Sequence, residues 1–203
     1  MVNADDVVAV ELAAGAPGRV VRVTADGQSH DVFNARIATA AARELGARDD
    51  AIDAVLARFT QLPHRVEPVG EISGVRYVDD SKATNPHATI GALQGFDHVV
   101  LIAGGRNKDL DLGGLGTHAE RVRAVVAIGE SAGEVEAAFA GTGVPVSRAA
   151  SMREAVRRAA GDANPGDVVL LSPACASFDW YRSYAERGDD FIRAVTEHIG
   201  GGR

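Results

Sequence analysis

The feature that most constrains how this chain folds is a regular alternation of short apolar runs and helical stretches in its longer, C-terminal part. The apolar runs predict strands at 75–79, 98–103, 124–128, 144–147 and 167–172. The stretches between and after them predict helices at 86–95, 117–123, 131–140, 151–161 and about 179–198. Since the central runs are almost entirely apolar, they are typical of parallel strands covered on both faces. The sequence therefore predicts an α/β fold with a doubly wound, mostly parallel Rossmann-like sheet.

The first part of the chain lacks this alternation. An Ala-rich stretch at 34–45 and a run with apolar residues at helical spacing at 50–59 predict two helices, with only one or two strand candidates beside them. Such a set of elements makes a poor domain on its own. We therefore predict a partial domain over residues 1–66 and a complete domain over residues 67–203, with the boundary in the segment 62–68.

Charge and composition exclude several classes of protein. The net charge is -7 and lysine and arginine form no cluster, which disfavours a nucleic-acid partner because phosphate neutralisation requires a basic face. The single cysteine excludes an internal disulfide, and the histidines show no metal-ligand spacing, so we predict no metal site in this chain. We find neither a secretory signal nor an apolar stretch near the roughly 20 residues that span a bilayer. We expect a cytoplasmic protein without membrane insertion.

Three predicted strand ends carry side chains suited to binding a small anion. Ligands of doubly wound sheets bind at the carboxyl ends of the strands. The segments at these ends are 79–85, 104–108 and 172–179, of which the first two contain a lysine. The third places small hydroxyl residues before a predicted helix start, where free N–H groups favour anions. Together they predict a pocket for a small molecule with carboxylates.

Each segment also has a purely structural interpretation. Residues 80–82 suit a turn, Gly104 and Gly105 suit a tight turn, and Asp179 suits a helix N-cap. Their position on one predicted sheet edge favours binding. A Rossmann-like oxidoreductase is disfavoured, because the GxGxxA pattern at 114–119 follows a polar stretch and not an apolar strand.

Four long sequence blocks resemble the Mur ligases. They are HRVEPV (64–69), YVDDSKATNPHAT (77–89), LIAGGRNKDLDL (101–112) and LLSPACASFDWYRSYAERGDDF (170–191). The resemblance implies formation of a peptide bond between D-glutamate and a UDP-sugar peptide precursor, UDP-N-acetylmuramoyl-L-alanine, with ATP and Mg²⁺ as cofactors. ATP would phosphorylate the precursor's carboxylate, and the amine of D-glutamate would attack the acyl phosphate. Residues 1–66 would be the remnant of the central ATPase domain, and residues 67–203 the C-terminal amino-acid-binding domain.

The resemblance also implies roles for individual residues. The nucleotide-facing positions are Asn34, Arg65 and Asp80, and the catalytic ones are Arg65, Asp80 and Lys82. The D-glutamate-binding positions are Thr84 and Lys108 for the α-carboxylate, and Ser177, Phe178 and Tyr184 for the side-chain carboxylate. Tyr184 stands where the resemblance implies a phenylalanine.

Parts of the family pattern are absent from these residues. The chain contains no G-x-x-x-x-G-K-[ST] phosphate loop, and the resemblance implies that the Mg²⁺ ligands and the UDP-binding domain lie upstream of residue 1. One hypothesis is therefore a ligase part that is active only with the missing ligase half. The alternative is a non-catalytic module that binds an amino acid or nucleotide, or docks on a complete ligase.

Overall fold

The computed structural model describes residues 1–26 and 30–201, which form two compact units, residues 1–60 and 61–203. In the first unit, β1 (Val2–Asn3) and β2 (Arg22–Val23) pair in parallel. The helices of this unit are α1 (Val7–Ala13), α2 (His30–Glu44) and α3 (Asp49–Leu56). The two helices predicted here are confirmed, whereas α1 was not predicted.

The helix α1 of the first unit has no buried side chain. Its N-cap Asp6 accepts a hydrogen bond from the backbone N–H of Ala9, so the helix start is well formed. Its apolar residues nevertheless face solvent: Val7 is 70% exposed, Val8 64% and Leu12 77%. The first unit therefore presents apolar surface that nothing in the described part of the chain covers.

The second unit is built on a six-stranded sheet in the order β3-β4-β8-β5-β6-β7. Its strands are β3 (Glu67–Ile72), β4 (Val75–Asp79), β5 (Val99–Gly104), β6 (Val122–Ile128), β7 (Val146–Ala149) and β8 (Val168–Leu171). Its helices are α4 (Pro86–Leu93), a 3-10 helix (Gly113–Arg121), α5 (Ala132–Ala138), α6 (Met152–Asp162) and α7 (Tyr184–Gly201). Every strand pair is parallel except β3 with β4.

Helices cover both faces of this sheet, which confirms the predicted doubly wound α/β fold. Along β5, Val99 and Leu101 pack into a core with residues of α4 and α5, while Val100 and Ile102 pack into a second core with residues of α6 and α7. All of β5 is buried, as expected from alternating faces that are both covered. No helix among residues 1–26 and 30–201 is long and apolar enough to cross a membrane.

Two predicted helices differ from the structure. The helix predicted at 117–123 is wrong, because Gly113–Arg121 forms a 3-10 helix and β6 begins at Val122. The last helix begins at Tyr184, not near residue 179. The antiparallel β3 was not predicted, since Pro68 and Gly70 interrupt its pattern and a register shift lies between them.

Gly104, at the end of β5, provides a test of this packing. Its φ is +124°, and an added Cβ would lie 2.0 Å from the carbonyl oxygen of Ile128. We expect Gly104→Ala to lower the free energy of unfolding by about 2–4 kcal/mol, through steric overlap and backbone strain. Urea unfolding followed by circular dichroism measures this change.

Gly161 of α6 is the matched control, because no atom beyond its chain neighbours and the backbone of its own helix lies within 4 Å of the position that a Cβ would take there. There we expect alanine to raise the free energy of unfolding by roughly 0.5–1 kcal/mol. Equal effects of the two substitutions would contradict the packing of β5 against β6.

Candidate functional site

The candidate site lies at the carboxyl edge of the sheet, where the three predicted segments come together. They follow β4, β8 and β5, which are neighbours in the sheet. The segments after β5 and β8 are joined by a pair of backbone hydrogen bonds, from Arg106 N to Ala176 O (2.8 Å) and from Ala176 N to Arg106 O (3.0 Å). A Cβ on Gly105 would lie 2.3 Å from the oxygen of Ala176. Gly105 therefore serves the close approach of these two segments and not only a turn.

A buried arginine of α7 joins the segments after β4 and β8. Arg187 is 1% exposed and donates from Nε to Ser81 Oγ (3.0 Å), from Nη2 to Ser81 O (2.8 Å) and from Nη1 to Cys175 O (3.1 Å). Burial lowers the pKa of this guanidinium to about 10, so it remains charged at neutral pH. Sequence reasoning missed Arg187, because one arginine in an amphipathic helix is usually solvent-exposed.

The chain contains two lysines, Lys82 and Lys108, and both lie at this edge. The Nζ of the half-buried Lys82 is 2.9 Å from the hydroxyl of Tyr184 and 4.4 Å from the centroid of its ring. Lys108 is exposed on the segment after β5. Within the described ranges, neither ammonium forms an ion pair with a carboxylate. Two cations are thus available to an anionic ligand.

Three of the predicted D-glutamate-binding residues lie on these segments. Thr84 is half-buried after β4, Ser177 is 2% exposed after β8, and Phe178 beside it is 57% exposed. Asn34 lies on α2 in the first unit and is exposed. The assignment of these residues to a ligand stays a prediction.

Asp179 does not cap α7, so that prediction is wrong. The helix begins five residues later at Tyr184, and Oδ2 of Asp179 accepts a hydrogen bond from Glu130 N (3.0 Å) instead. The segment after β8 is thereby attached to the segment after β6 as well. Asp179 helps to shape the edge and is not part of a helix start.

Two buried carboxylates follow β4. Asp80 is 5% exposed and accepts hydrogen bonds from Ser172 Oγ (2.8 Å) and Val66 N (3.3 Å). Burial raises the pKa of Asp80 to about 6, against the opposing effect of these hydrogen bonds. Asp79 contacts Nδ1 of His64 through Oδ2 (2.7 Å), and burial also raises its pKa.

Arg65 lies on a constrained bend beside these carboxylates. His64 and Val66, on either side of it, have φ values of +62° and +48°, which β-branched residues such as valine rarely adopt. The bend is held by hydrogen bonds from His64 N to Glu67 Oε2 (2.8 Å) and from Lys82 N to His64 O (3.0 Å). Arg65 itself is exposed, so its backbone is fixed while its guanidinium is open to a ligand.

One group of potential metal ligands comes together in the described part of the chain: His64, Glu67 and Asp79. The His64 ring is already hydrogen-bonded to Asp79, and Glu67 accepts from the backbone of His64. Mg²⁺ prefers an octahedral set of oxygen ligands and retains several waters. This group therefore does not fit Mg²⁺, and we assign it to holding the bend.

A doubly wound sheet with two lysines at its carboxyl edge, neither in an ion pair within the described residues, is typical of a domain that binds a small anionic ligand. Residues 64–175, more than half of the chain, match the family described as Mur ligase, glutamate ligase domain. The chain belongs to the Mur ligase family.

Curated relatives agree with this assignment. The UDP-N-acetylmuramoylalanine–D-glutamate ligase of Salinibacter ruber is 48% identical over 82% of this chain and 36% of the relative. That of Frankia casuarinae is 42% identical over 98% of this chain and 50% of the relative. The chain thus spans half or less of the length of these relatives.

Solved structures share the fold. A pseudomurein peptide ligase type C from Methanothermus fervidus has a TM-score of 0.61 at 18% identity, over 83% of this chain and 36% of that chain. The MurF ligase from Thermotoga maritima, solved in complex with ADP, has a TM-score of 0.60 at 19% identity, over 85% of this chain and 39% of the MurF chain. At these identities the likeness shows the fold alone.

The raised pKa of Asp80 predicts a pH-dependent contribution to stability. The pKa of Asp80 is about 6 in the folded chain, above the pKa of the same carboxyl in the unfolded chain. Above pH 6 the buried carboxylate is charged and destabilises the fold, and as the pH falls below 6 this charge is neutralised. Asp80→Asn should therefore be more stable relative to wild type at pH 7 than at pH 4.5. We expect the free energy of unfolding of Asp80→Asn, relative to that of the wild type, to fall by about 2 kcal/mol from pH 7 to pH 4.5, as measured by urea unfolding.

Asp162→Asn, which removes an exposed carboxyl of α6, is the control. If both variants show the same dependence on pH, the effect does not come from burial of Asp80.

Proposed function

We propose that this chain is the amino-acid-binding, C-terminal part of an ATP-dependent ligase that joins D-glutamate to UDP-N-acetylmuramoyl-L-alanine in peptidoglycan precursor synthesis, and that it acts in the cytoplasm. The observation that carries the proposal is the position of both lysines at one sheet edge, on the segments after β4 and β5, without carboxylate partners in the described residues. An acidic amino acid supplies the two carboxylates that such a site requires. The names of the curated relatives support D-glutamate as that amino acid.

In this proposal the second unit holds the amino acid with its amine free. Lys108 and Thr84 bind the α-carboxylate, and the segment after β8, with Ser177 and Phe178, binds the side-chain carboxylate together with Tyr184. Anchoring both carboxylates fixes the direction of the amine, which lowers the entropic barrier to its attack on an acyl phosphate. Lys82 stabilises the charge that develops at the reacting centre.

The nucleotide would meet the second unit at Arg65 and Asp80, and a role of Asn34 in nucleotide binding stays a separate prediction for the first unit. The fixed backbone around Arg65 supports this role, because a guanidinium on a rigid bend offers a preformed partner for phosphate. ATP, when bound, supplies the phosphoryl group that activates the precursor's carboxylate. Relatives in fold have been solved with ADP and with AMPPNP and Mn, which supports a nucleotide cofactor. We place the Mg²⁺ ligands in the part of the relatives that this chain does not span.

We also propose that residues 1–66 are the end of the central ATPase domain and residues 67–203 the amino-acid-binding domain. The apolar surface of α1, with Val7, Val8 and Leu12 exposed, supports an incomplete first domain. The missing ligase half would cover that surface and bring the phosphate loop. The partners of the chain are then D-glutamate, the UDP-sugar peptide precursor and this half.

The competing function is a non-catalytic module that keeps the amino-acid pocket. It is favoured by one observation, the lack of a G-x-x-x-x-G-K-[ST] sequence among the 203 residues. The two functions differ in whether adding the missing half produces ligase activity. A ligase part gains activity in its presence, whereas a module binds the amino acid and never turns over.

Removing the Lys108 ammonium tests the amino-acid site. We expect Lys108→Ala to weaken D-glutamate binding by about 1.5–3 kcal/mol, the range for a hydrogen bond to a charged group, in isothermal titration calorimetry. Arg157→Ala, which removes an exposed cation of α6, is the charge-matched control and should leave binding unchanged. An unaltered dissociation constant for Lys108→Ala would remove this lysine from the site.

Reconstitution tests the ligase function itself. The chain is mixed with the upstream half of the Frankia casuarinae ligase, and phosphate release is measured with ATP, UDP-N-acetylmuramoyl-L-alanine and D-glutamate. We expect release that depends on D-glutamate in the mixture and none from either part alone, because phosphoryl transfer needs both the phosphate cradle and the amino-acid site. D-glutamate binding without turnover in the mixture would favour the module.

A further inference from the structure

The contact between Lys82 and Tyr184 has a fixed hydrogen-bond direction. An ammonium group can only donate, so the phenol oxygen of Tyr184 accepts the hydrogen bond from Lys82 Nζ at 2.9 Å. The hydroxyl proton of Tyr184 is then left to donate to another group. No second partner of this hydroxyl is found within residues 1–26 and 30–201. The half-buried phenol is thus an unused donor at the candidate site.

The position of this phenol is fixed by its surroundings. Tyr184 is the first residue of α7, and its carbonyl oxygen accepts a hydrogen bond from Ser81 Oγ at 2.7 Å. Ser81 is in turn held by two donors of the buried Arg187. The ring of His64 packs edge-on against the Tyr184 ring, with centroids 6.2 Å apart. The hydroxyl is therefore held in place before any ligand arrives.

The charges around the phenol favour an anion as its missing partner. Lys82 keeps two N–H donors beyond the one directed to Tyr184. The two neighbouring carboxylates already accept hydrogen bonds, Asp80 from Ser172 and Asp79 from Ser81 N (2.8 Å). Donation by an ammonium polarises the phenol and strengthens its own O–H as a donor. A carboxylate can accept from both groups at once.

We propose that Tyr184 and Lys82 act as one coupled donor pair for the side-chain carboxylate of the bound amino acid, and that this pair selects glutamate over glutamine. The inference rests on the proposed function; it moves Lys82 from the reacting centre to the side-chain carboxylate and adds the phenol hydroxyl as a second donor to that carboxylate. A side-chain carboxamide gains less from charged donors, and its NH₂ group would face donors without an acceptor. The phenol hydroxyl thus contributes to selectivity as well as to affinity.

Tyr184→Phe removes this hydroxyl and leaves the ring in place. We expect the dissociation constant of the full chain for D-glutamate to rise about tenfold, as for loss of one hydrogen bond to a charged group. Binding of D-glutamine should change little, so the preference for glutamate falls by a similar factor. Calorimetry with both amino acids measures the two constants.

Tyr181→Phe is the matched control. Tyr181 lies three residues before Tyr184, and its hydroxyl donates to Asp190 Oδ2 at 2.7 Å, whereas the hydrogen bond of Lys82 Nζ goes to Tyr184. If loss of a hydroxyl only loosened this part of the chain, both tyrosine variants would bind D-glutamate and D-glutamine more weakly. We expect Tyr181→Phe to leave the preference for glutamate over glutamine unchanged.

Coupling between the two groups is tested by a double-mutant cycle and by NMR. Tyr184→Phe should weaken D-glutamate binding far less in a Lys82→Met background than in the wild type. In protein labelled with [¹³Cε]lysine, two lysine signals are expected, and Tyr184→Phe should shift only that of Lys82. The NMR measurement needs no ligand and so reports on the contact alone.

The outcomes separate the inference from the proposed function. If the wild type binds no D-glutamate, both are overturned. If it binds D-glutamate and Lys108→Ala weakens binding, while Tyr184→Phe leaves the preference unchanged or the cycle is additive, only the coupled pair is overturned.

Discussion

The arrangement of the candidate site depends on one buried cation. Arg187 lies between the segments after β4 and β8 and donates to the hydroxyl and carbonyl oxygens of Ser81 and to the carbonyl oxygen of Cys175. A buried guanidinium is costly unless its donors are satisfied, so these segments must be present for α7 to pack as it does. The same contacts orient the start of α7, and with it Tyr184 toward Lys82. Folding of the last helix and formation of the site are therefore coupled.

The sequence predicts the second unit well, because its signals are local and repeated. Apolar strands between helices define a parallel sheet, and the position of a residue at a strand end then places it at the binding edge. Lys82, Lys108 and Ser177 were placed at this edge in this way, and their binding of a ligand stays a prediction. The contact of Lys82 with Tyr184 was not, because it joins residues 102 positions apart and depends on how α7 docks.

The missed features have two physical origins, tertiary context and weak local signals. Arg187 has the pattern of a surface residue, and only the carbonyl groups around it explain its burial. The glycines of the 3-10 helix at Gly113–Arg121 weaken any helix signal, and β3 is an edge strand with an interrupted pattern. The strained bend at His64 and Val66 is held by hydrogen bonds to Asp79, Asp80 and Lys82, 14 to 18 residues further along the chain. The burial of Arg187 and this bend are therefore not encoded within a short sequence window.

The placement of both lysines at one edge has a practical consequence. Apart from the α-amino group, every primary amine of the chain belongs to the candidate site, while the other cationic side chains are arginines or histidines. Amine-directed coupling to a sensor surface, or labelling with an amine-reactive dye, would therefore modify the site itself. Attachment through the α-amino group or an affinity tag would leave it open.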